Sequence, residues 1–404
     1  MRLTGNNFKK IMLLFCLIPL FKEGNAQAFR KTTAQEVIRQ SRNPAELSKA
    51  YNHYKSNGKD SLKFKAMDFL IRNMDAHYSE SYYWMDSIGR KVPFDELSYN
   101  SFLESTQAFG ALKKKHGQLK PVKMTYRDID TITAFYLVDN LEQAFAAWNK
   151  INLNKPDFNT FCEYILPYRV HTEPLQNWRS VYNHKFSWLA DSVKNEQSPN
   201  MVSFLIKDFN RWFTSMYNFE KRKEPLPYLG ALQILQRKKG FCEDVAALAA
   251  FSLRATGIAA STDIVPYWAT SSGSHMLNYA RNNISNDYLH FDVLFKDGRV
   301  KRLIREPGKV LRFRYSKNQA SLPFITDTAN IPTGVLQKSN ITDVTKEYWP
   351  VEDFKAPLTL KPSNQTGNIV YACVLNYLHW SAVWWAPVKP GTDSVSFTDM
   401  GKGV

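Results

Sequence analysis

After residue 26, no segment of this 404-residue sequence holds the ~20 consecutive apolar residues that a membrane-spanning helix requires. There is no HExxH, no CxxC pair, no phosphate-cradling glycine loop and no internal repeat. Those gaps argue against a zincin, a dithiol oxidoreductase and a P-loop nucleotide enzyme, and no motif implies a cofactor. Cysteine is scarce, at four residues. Carboxylates are outnumbered, with 37 Asp and Glu against 53 Lys and Arg, for a formal charge of +16. Such a balance favours anionic envelope surfaces or acidic polymers as partners. The basic residues are scattered and no recognition module is visible, which weighs against nucleic acid.

The chain opens MRLTGNNFKKIMLLFCLIPLFKEGNAQAFR. A basic start, an apolar run over residues 11–21 and small residues at 24–26 make a secretory signal peptide cut after Ala26. Cys16 lies inside the apolar run and not behind a lipid-attachment signal, so no lipid anchor is expected. Removing 1–26 lowers the formal charge to about +13. The exported protein, periplasmic or extracellular, keeps Cys162, Cys242 and Cys373. An odd count in an oxidising compartment leaves at least one thiol unpaired. Cys242 is the natural candidate, with Cys162 and Cys373 buried or bridged to each other.

Cys242 directly precedes EDVAALAAFSLRA, a run of strong helix formers that ends at Gly257. A thiol at a helix N-terminus meets unpaired N–H groups and the positive end of the helix dipole, so its pKa is expected to fall to roughly 3.5–7.5. Glu243 and Asp244 favour that helix start and oppose the thiolate slightly. Downstream, SHMLNYA and DYLHFDVLF flank the polar run RNNISN and read as a hairpin. A symmetric hairpin centred on residues 283 and 284 puts His275 opposite Asp292, with Cβ atoms roughly 5 Å apart. An acid beside an imidazole holds its tautomer and stabilises the imidazolium. His290, two residues from Asp292 on one strand, is a rival base better suited to a structural role. A metal site from His275, His290 and Asp292 is formally possible but leaves the placement of Cys242 unexplained.

GFCEDVAALAAFSLRATGI, with His275 in SHMLN and Asp292 in HFDV, resembles the transglutaminase-like superfamily of papain-type Cys-His-Asp enzymes over about residues 225–305. The resemblance implies Cys242 as nucleophile, His275 as general base and acid, and Asp292 as the carboxylate that orients it, with no metal and no cofactor. Leu277 replaces an aromatic residue common in the family, and Ala259, Ala260 and Ser261 replace a frequent Pro-Ala-Arg. EYILPYRVHTEPLQNWR is similar to a segment upstream of the cysteine in exported bacterial members. It makes Tyr168, Arg169, Glu173 and Arg179 cleft or domain-joining candidates.

The expected fold is α+β, with a helical N-terminal domain at 27–158, a transglutaminase-like domain at 159–310 and a β-rich accessory domain at 311–404. Apolar residues at three- and four-residue spacing mark the first as helical. The aromatics of YSESYYWM, residues 78–85, line a groove or, more commonly, pack internally. Gln233 or Gln236 is a possible oxyanion donor, although a solvated helix face is the commoner role. Short β-branched and aromatic segments in the last domain suggest a β-sandwich. There Trp380, Trp384 and Trp385 form either a sugar- or peptide-binding platform or a packed sheet face. The expected function is cleavage or transfer of amide bonds in proteins or peptides through a thioester, hydrolysis being favoured. The alternative is a silent scaffold that binds protein or glycan.

Overall fold

The computed structural model describes residues 32–55, 60–151, 154–194, 201–216, 226, 228–281, 287–294, 303–359, 369–388 and 391–403. The expected leader and the turn of the expected hairpin, residues 282–286, lie outside them.

The chain enters α1 (Ala34–Gln40) through a reciprocal cap, in which Thr33 Oγ1 accepts from Glu36 N at 3.2 Å and the Glu36 carboxylate accepts from Thr33 N at 2.8 Å. α2 (Pro44–His53) begins on a proline, whose missing N–H would have had no helical partner there. α3 (Ser61–Asn73) completes the first group. Next comes a sheet where a purely helical region was expected. β1 (Tyr78–Met85) pairs antiparallel with β2 (Lys91–Val92) and, across α4 (Phe102–His116), with β3 (Lys120–Arg127). The segment KPVKMTYR alternates apolar and polar residues from Val122 to Arg127, a strand pattern the helical expectation passed over, and it pairs with β1 along its whole length. The aromatics of β1 serve packing: the Trp84 ring lies 4.5 Å from that of Phe109 on α4.

α5 (Asp128–Thr131), α6 (Ala134–Asn149) and α7 (Phe158–Tyr164) close this region. Its core of Leu47, Met67, Leu70, Leu137, Leu141 and Phe161 takes in Ala259 and Tyr315 from the centre of the chain. The expected edge at residue 158 therefore falls inside a shared core. Arg169, 3% exposed, fastens the two parts with bonds of 2.7 Å to each Asp128 oxygen and 3.0 Å to Ser79 Oγ.

α8 (Arg179–Lys194), α9 (Met201–Trp212), β4 (Thr214–Ser215), α10 (Ala231–Arg237) and β5 (Lys239–Gly240) lead to α11 (Cys242–Ala255). α11 packs on a five-stranded antiparallel sheet. Its strands are β6 (Ala260–Val265), β7 (His275–Arg281), β8 (Tyr288–Phe291), β9 (Leu311–Phe313) and β10 (Ile341–Asp343), in the order β10-β9-β6-β7-β8. Asn278 Nδ2 of β7 donates to Ala246 O of α11 at 2.8 Å. Ala260, Ala280 and Phe291 join α8, α9 and α11 in one apolar core. β9 and β10 come from beyond the expected boundary at residue 310, because a three-residue strand reveals its partner only in the folded sheet.

After α12 (Thr345–Tyr348), β11 (Val351–Pro357) pairs with β14 (Ser394–Gly401), and β12 (Ile369–Asn376) with β13 (His379–Pro387). The two ribbons enclose Ala356, Val374, Val383, Val395 and Phe397. Lys309 ties them to the central sheet, donating to Asp343 Oδ2 at 2.5 Å and to Thr398 O at 2.6 Å.

Two buried histidines link stability to pH. Burial, reinforced for His77 by Arg169 and for His171 by Lys338, pushes each imidazole down to about 3. Folded-state values below the unfolded 6.5 mean that the unfolded chain takes up protons first. Stability is therefore full above about pH 6.5 and falls with pH until the folded groups themselves titrate near 3. Denaturant unfolding at pH 5 should show a loss on the order of 2 kcal/mol per histidine relative to pH 7.5. Replacing His171 with glutamine should remove one such increment.

Candidate active site

The site starts from the turn into α11. At Gly240 an added Cβ would come within 2.5 Å of Asp244 Cβ, so the chain can pass only as glycine. The Asp244 carboxylate, 1% exposed, accepts from Phe241 N at 2.9 Å and from Leu229 N at 3.4 Å. It thus fixes both the helix start and the segment before it. Cys242 is the first helical residue and is half-buried. At the far end Ile258 N bonds Leu253 O at 2.9 Å and Gly257 N bonds Arg254 O at 3.2 Å, with Gly257 at φ +85°. This is the glycine-capped exit expected from the sequence.

β7 brings the second group. His275 opens the strand opposite Val265, and its Nε2 lies 2.5 Å from Asp292 Oδ2. Asp292 is 2% exposed, and its other oxygen accepts from Leu294 N at 2.9 Å. The Trp268 ring stacks beside the imidazole, 6.2 Å between centroids. With Nε2 engaged by the acid, Nδ1 is the nitrogen that remains for a reacting partner. The backbone N–H of Met276, one residue after His275, bonds the sulfur of Cys242 and favours its thiolate. Cysteine, histidine and acid are therefore neighbours across the α11–β7 contact.

The pairing differs from the symmetric hairpin. Tyr279 faces His290 and Asn278 faces Phe291, so the centre falls one residue later than expected and Asp292 continues towards Leu277. His275 and Asp292 are diagonal neighbours on one face, a separation an imidazole can bridge.

The electrostatics also correct an expectation. Burial first, and then the neighbouring Glu243 carboxylate, push the Cys242 thiol up to about 12 instead of lowering it. The thiol donates to Glu243 Oε2 at 3.4 Å. A helix N-terminus stabilises a thiolate that solvent or a cation can reach; here desolvation and adjacent anions outweigh it. Both effects disfavour the free thiolate.

The other candidates are accounted for. His290 Nε2 bonds Glu347 Oε2 at 2.7 Å, on the side where Arg312 grips Asp263 at 2.9 and 2.8 Å. It lies in a structural ion network, so the three-residue metal arrangement does not form. His290→Ala should lower the melting temperature yet leave the alkylation rate of Cys242 within about twofold of wild type, as expected for a group outside the reacting set. Tyr168, Arg169, Glu173 and Arg179 are all buried and join segments, with Arg179 donating to Asn140 Oδ1 and to Arg254 O. Gln233 Oε1 accepts from Gly230 N and Gln236 Nε2 donates to Glu96 O and Tyr99 O. The amide N–H groups of Gln236 are thus turned to the backbone of the Glu96–Tyr99 segment, and Gln233 caps the start of α10. Cys162 is buried, Cys373 half-buried, and no disulfide joins the two. Trp384 and Trp385 pack ring to ring at 4.0 Å, Trp385 beside Cys242 and Met276 in one apolar cluster. Trp380 is the exposed member, at 38%. The sequence reading missed Trp268, which the turn closed by Trp268 N on Gly273 O at 3.2 Å brings back beside His275.

A cysteine opening a helix that packs on an antiparallel sheet bearing His and Asp defines the papain-like class of cysteine-enzyme folds. Within that class, residues 175–293 match the family model of the transglutaminase-like superfamily, and the central part of the chain has this fold. The matched stretch includes Cys242, His275 and Asp292. A solved structure from Cytophaga hutchinsonii, designated a candidate cysteine protease, is similar at 17% identity with a TM-score of 0.22. That match covers 29% of this chain and 36% of the other, and an overlap of this size carries no argument. No curated protein matches the sequence.

Proposed function

We propose that the protein is an exported cysteine enzyme that acts on amide bonds of proteins or peptides, with hydrolysis favoured over transfer to an amine. The observation that carries this reading is the His275–Asp292 contact of 2.5 Å placed beside the helix-tip thiol. Cys242 Sγ attacks the carbonyl carbon while His275 takes the thiol proton, and the tetrahedral intermediate collapses to a thioester as that proton passes to the leaving amine. Water then attacks the thioester, His275 accepting its proton, and releases acid and thiol; an amine in place of water gives a new amide. Burial and Glu243 oppose the free thiolate, so the thiol proton passes to His275 as the sulfur attacks. Asp292 is set to stabilise the imidazolium there. N–H groups of the first turn of α11 are suited to the developing oxyanion.

A second reading, a transglutaminase-like scaffold that binds protein or glycan without turnover, draws on the thiol's displacement to about 12 and its bond to Glu243. A peptide carrying an epoxide electrophile separates the two. The enzyme reading expects Cys242 alone to be labelled, in folded protein only, with Cys162 and Cys373 untouched. Absence of labelling, or equal labelling of folded and unfolded chains, selects the scaffold. Incubation of a labelled primary amine with casein then reports transfer as incorporation and hydrolysis as new termini.

A further inference from the structure

We propose that the β12–β13 hairpin tip binds an anionic lipid bilayer, inserting Leu375, Tyr377, Leu378 and Trp380 into its interface. The last pair of the ribbon is Asn376 with His379, so Tyr377 and Leu378 alone form the turn. Both have positive φ, +46° and +66°. A two-residue turn with that backbone suits Asn-Gly, and a bulky side chain there is strained. Those same side chains face water: Leu378 is 89% exposed, Tyr377 63%, Leu375 49% and Trp380 38%. Strain and apolar exposure coincide at one point, an arrangement disfavoured in water and relieved when the tip leaves it.

The tip is held in place. Asn376 accepts from Gly273 N at 3.2 Å and donates to Gly273 O at 3.1 Å, and Tyr377 N donates to Ser272 Oγ at 3.1 Å. These bonds fix it to the loop that runs into His275, so insertion would bring the Cys242 site to the bilayer surface.

Lipid is the occupant the chemistry favours. A convex turn offers no groove to a peptide and no flat face to a second copy, whereas Tyr and Trp beside Leu are the composition of an interfacial anchor. No Asp or Glu occurs between residues 369 and 388. Arg305 reaches the same loop through Ser271 Oγ at 3.1 Å, and the carboxylate of Glu306 accepts from the Thr270 hydroxyl at 2.6 Å. The chain carries +16, about +13 without residues 1–26, complementary to an anionic leaflet.

The test is co-sedimentation of the full chain with vesicles of phosphatidylcholine, alone or mixed with phosphatidylglycerol. Wild type should partition onto the mixed vesicles. The double variant Tyr377→Asn/Leu378→Gly gives the turn its preferred residues, so its melting temperature should not fall, while its partitioning should drop roughly tenfold or more. Wild type that stays in solution, or a double variant that binds as wild type does, overturns the proposal. Dimers seen by sedimentation velocity without lipid, lost in the double variant and unaccompanied by vesicle binding, would assign the tip to a second copy and overturn it too. Binding is read without turnover, so failure here leaves the reading of Cys242 untouched.

Discussion

Cys242→Ser is expected to keep the fold and to lower amide turnover by on the order of 10⁶, with no thioester intermediate detectable by mass spectrometry of quenched reactions. The side chain is half-buried at the first position of α11, and serine is close to isosteric with cysteine, so little stability depends on the sulfur. The chemical loss is large because a hydroxyl is a far weaker nucleophile than a thiol that His275 can deprotonate. Unfolding of the variant in denaturant should coincide with wild type, and persistent turnover would remove Cys242 from the reaction.

Asp292→Asn should reduce turnover by roughly 10³- to 10⁴-fold with the fold intact, because Asn keeps an acceptor for Leu294 N but not the charge. The size of the effect follows from the thiol's surroundings. Where a thiolate–imidazolium pair already exists, an amide is enough to orient the ring. Here burial and Glu243 hold the thiol above its usual range, so the proton has to leave the sulfur as it attacks, and Asp292 stabilises the ring that receives it. A loss of under tenfold would mean that the imidazolium is stabilised by another group, or that the proton does not pass through His275.

The helix that carries Cys242 was legible because strong helix formers, Gly240 and Gly257 mark both ends in local sequence. His275 and Asp292 were legible as a pair, but their register was not. Register depends on the turn between β7 and β8, and the nearest symmetric centre put Asp292 directly opposite His275 instead of diagonal to it. The direction of the thiol's shift was misread for a different reason. Helix position can be seen in sequence, but the depth of burial and the approach of Glu243 depend on packing against Met276 and Trp385. Strands were the other blind spot. The alternation of β3 from Val122 to Arg127 was passed over, and β9 and β10 complete the central sheet from a segment whose composition gave no sign of its partner. Arg169 and Arg179 were picked out by resemblance, and only coordinates reveal that they bind Asp128 and Asn140 inside the shared core instead of facing a cleft.

The central claim is that Cys242 and His275 act as one unit. The most direct measurement is the pH dependence of Cys242 carboxamidomethylation, resolved from Cys162 and Cys373 by peptide mass spectrometry, in wild type and in His275→Ala. The account predicts that wild type, in which the imidazole takes the thiol proton as the sulfur attacks, is alkylated much faster near neutral pH than His275→Ala. In His275→Ala, with no base beside the sulfur, the rate should rise only towards alkaline pH. Two superimposable profiles would contradict the account and leave the binding scaffold as the function of this fold.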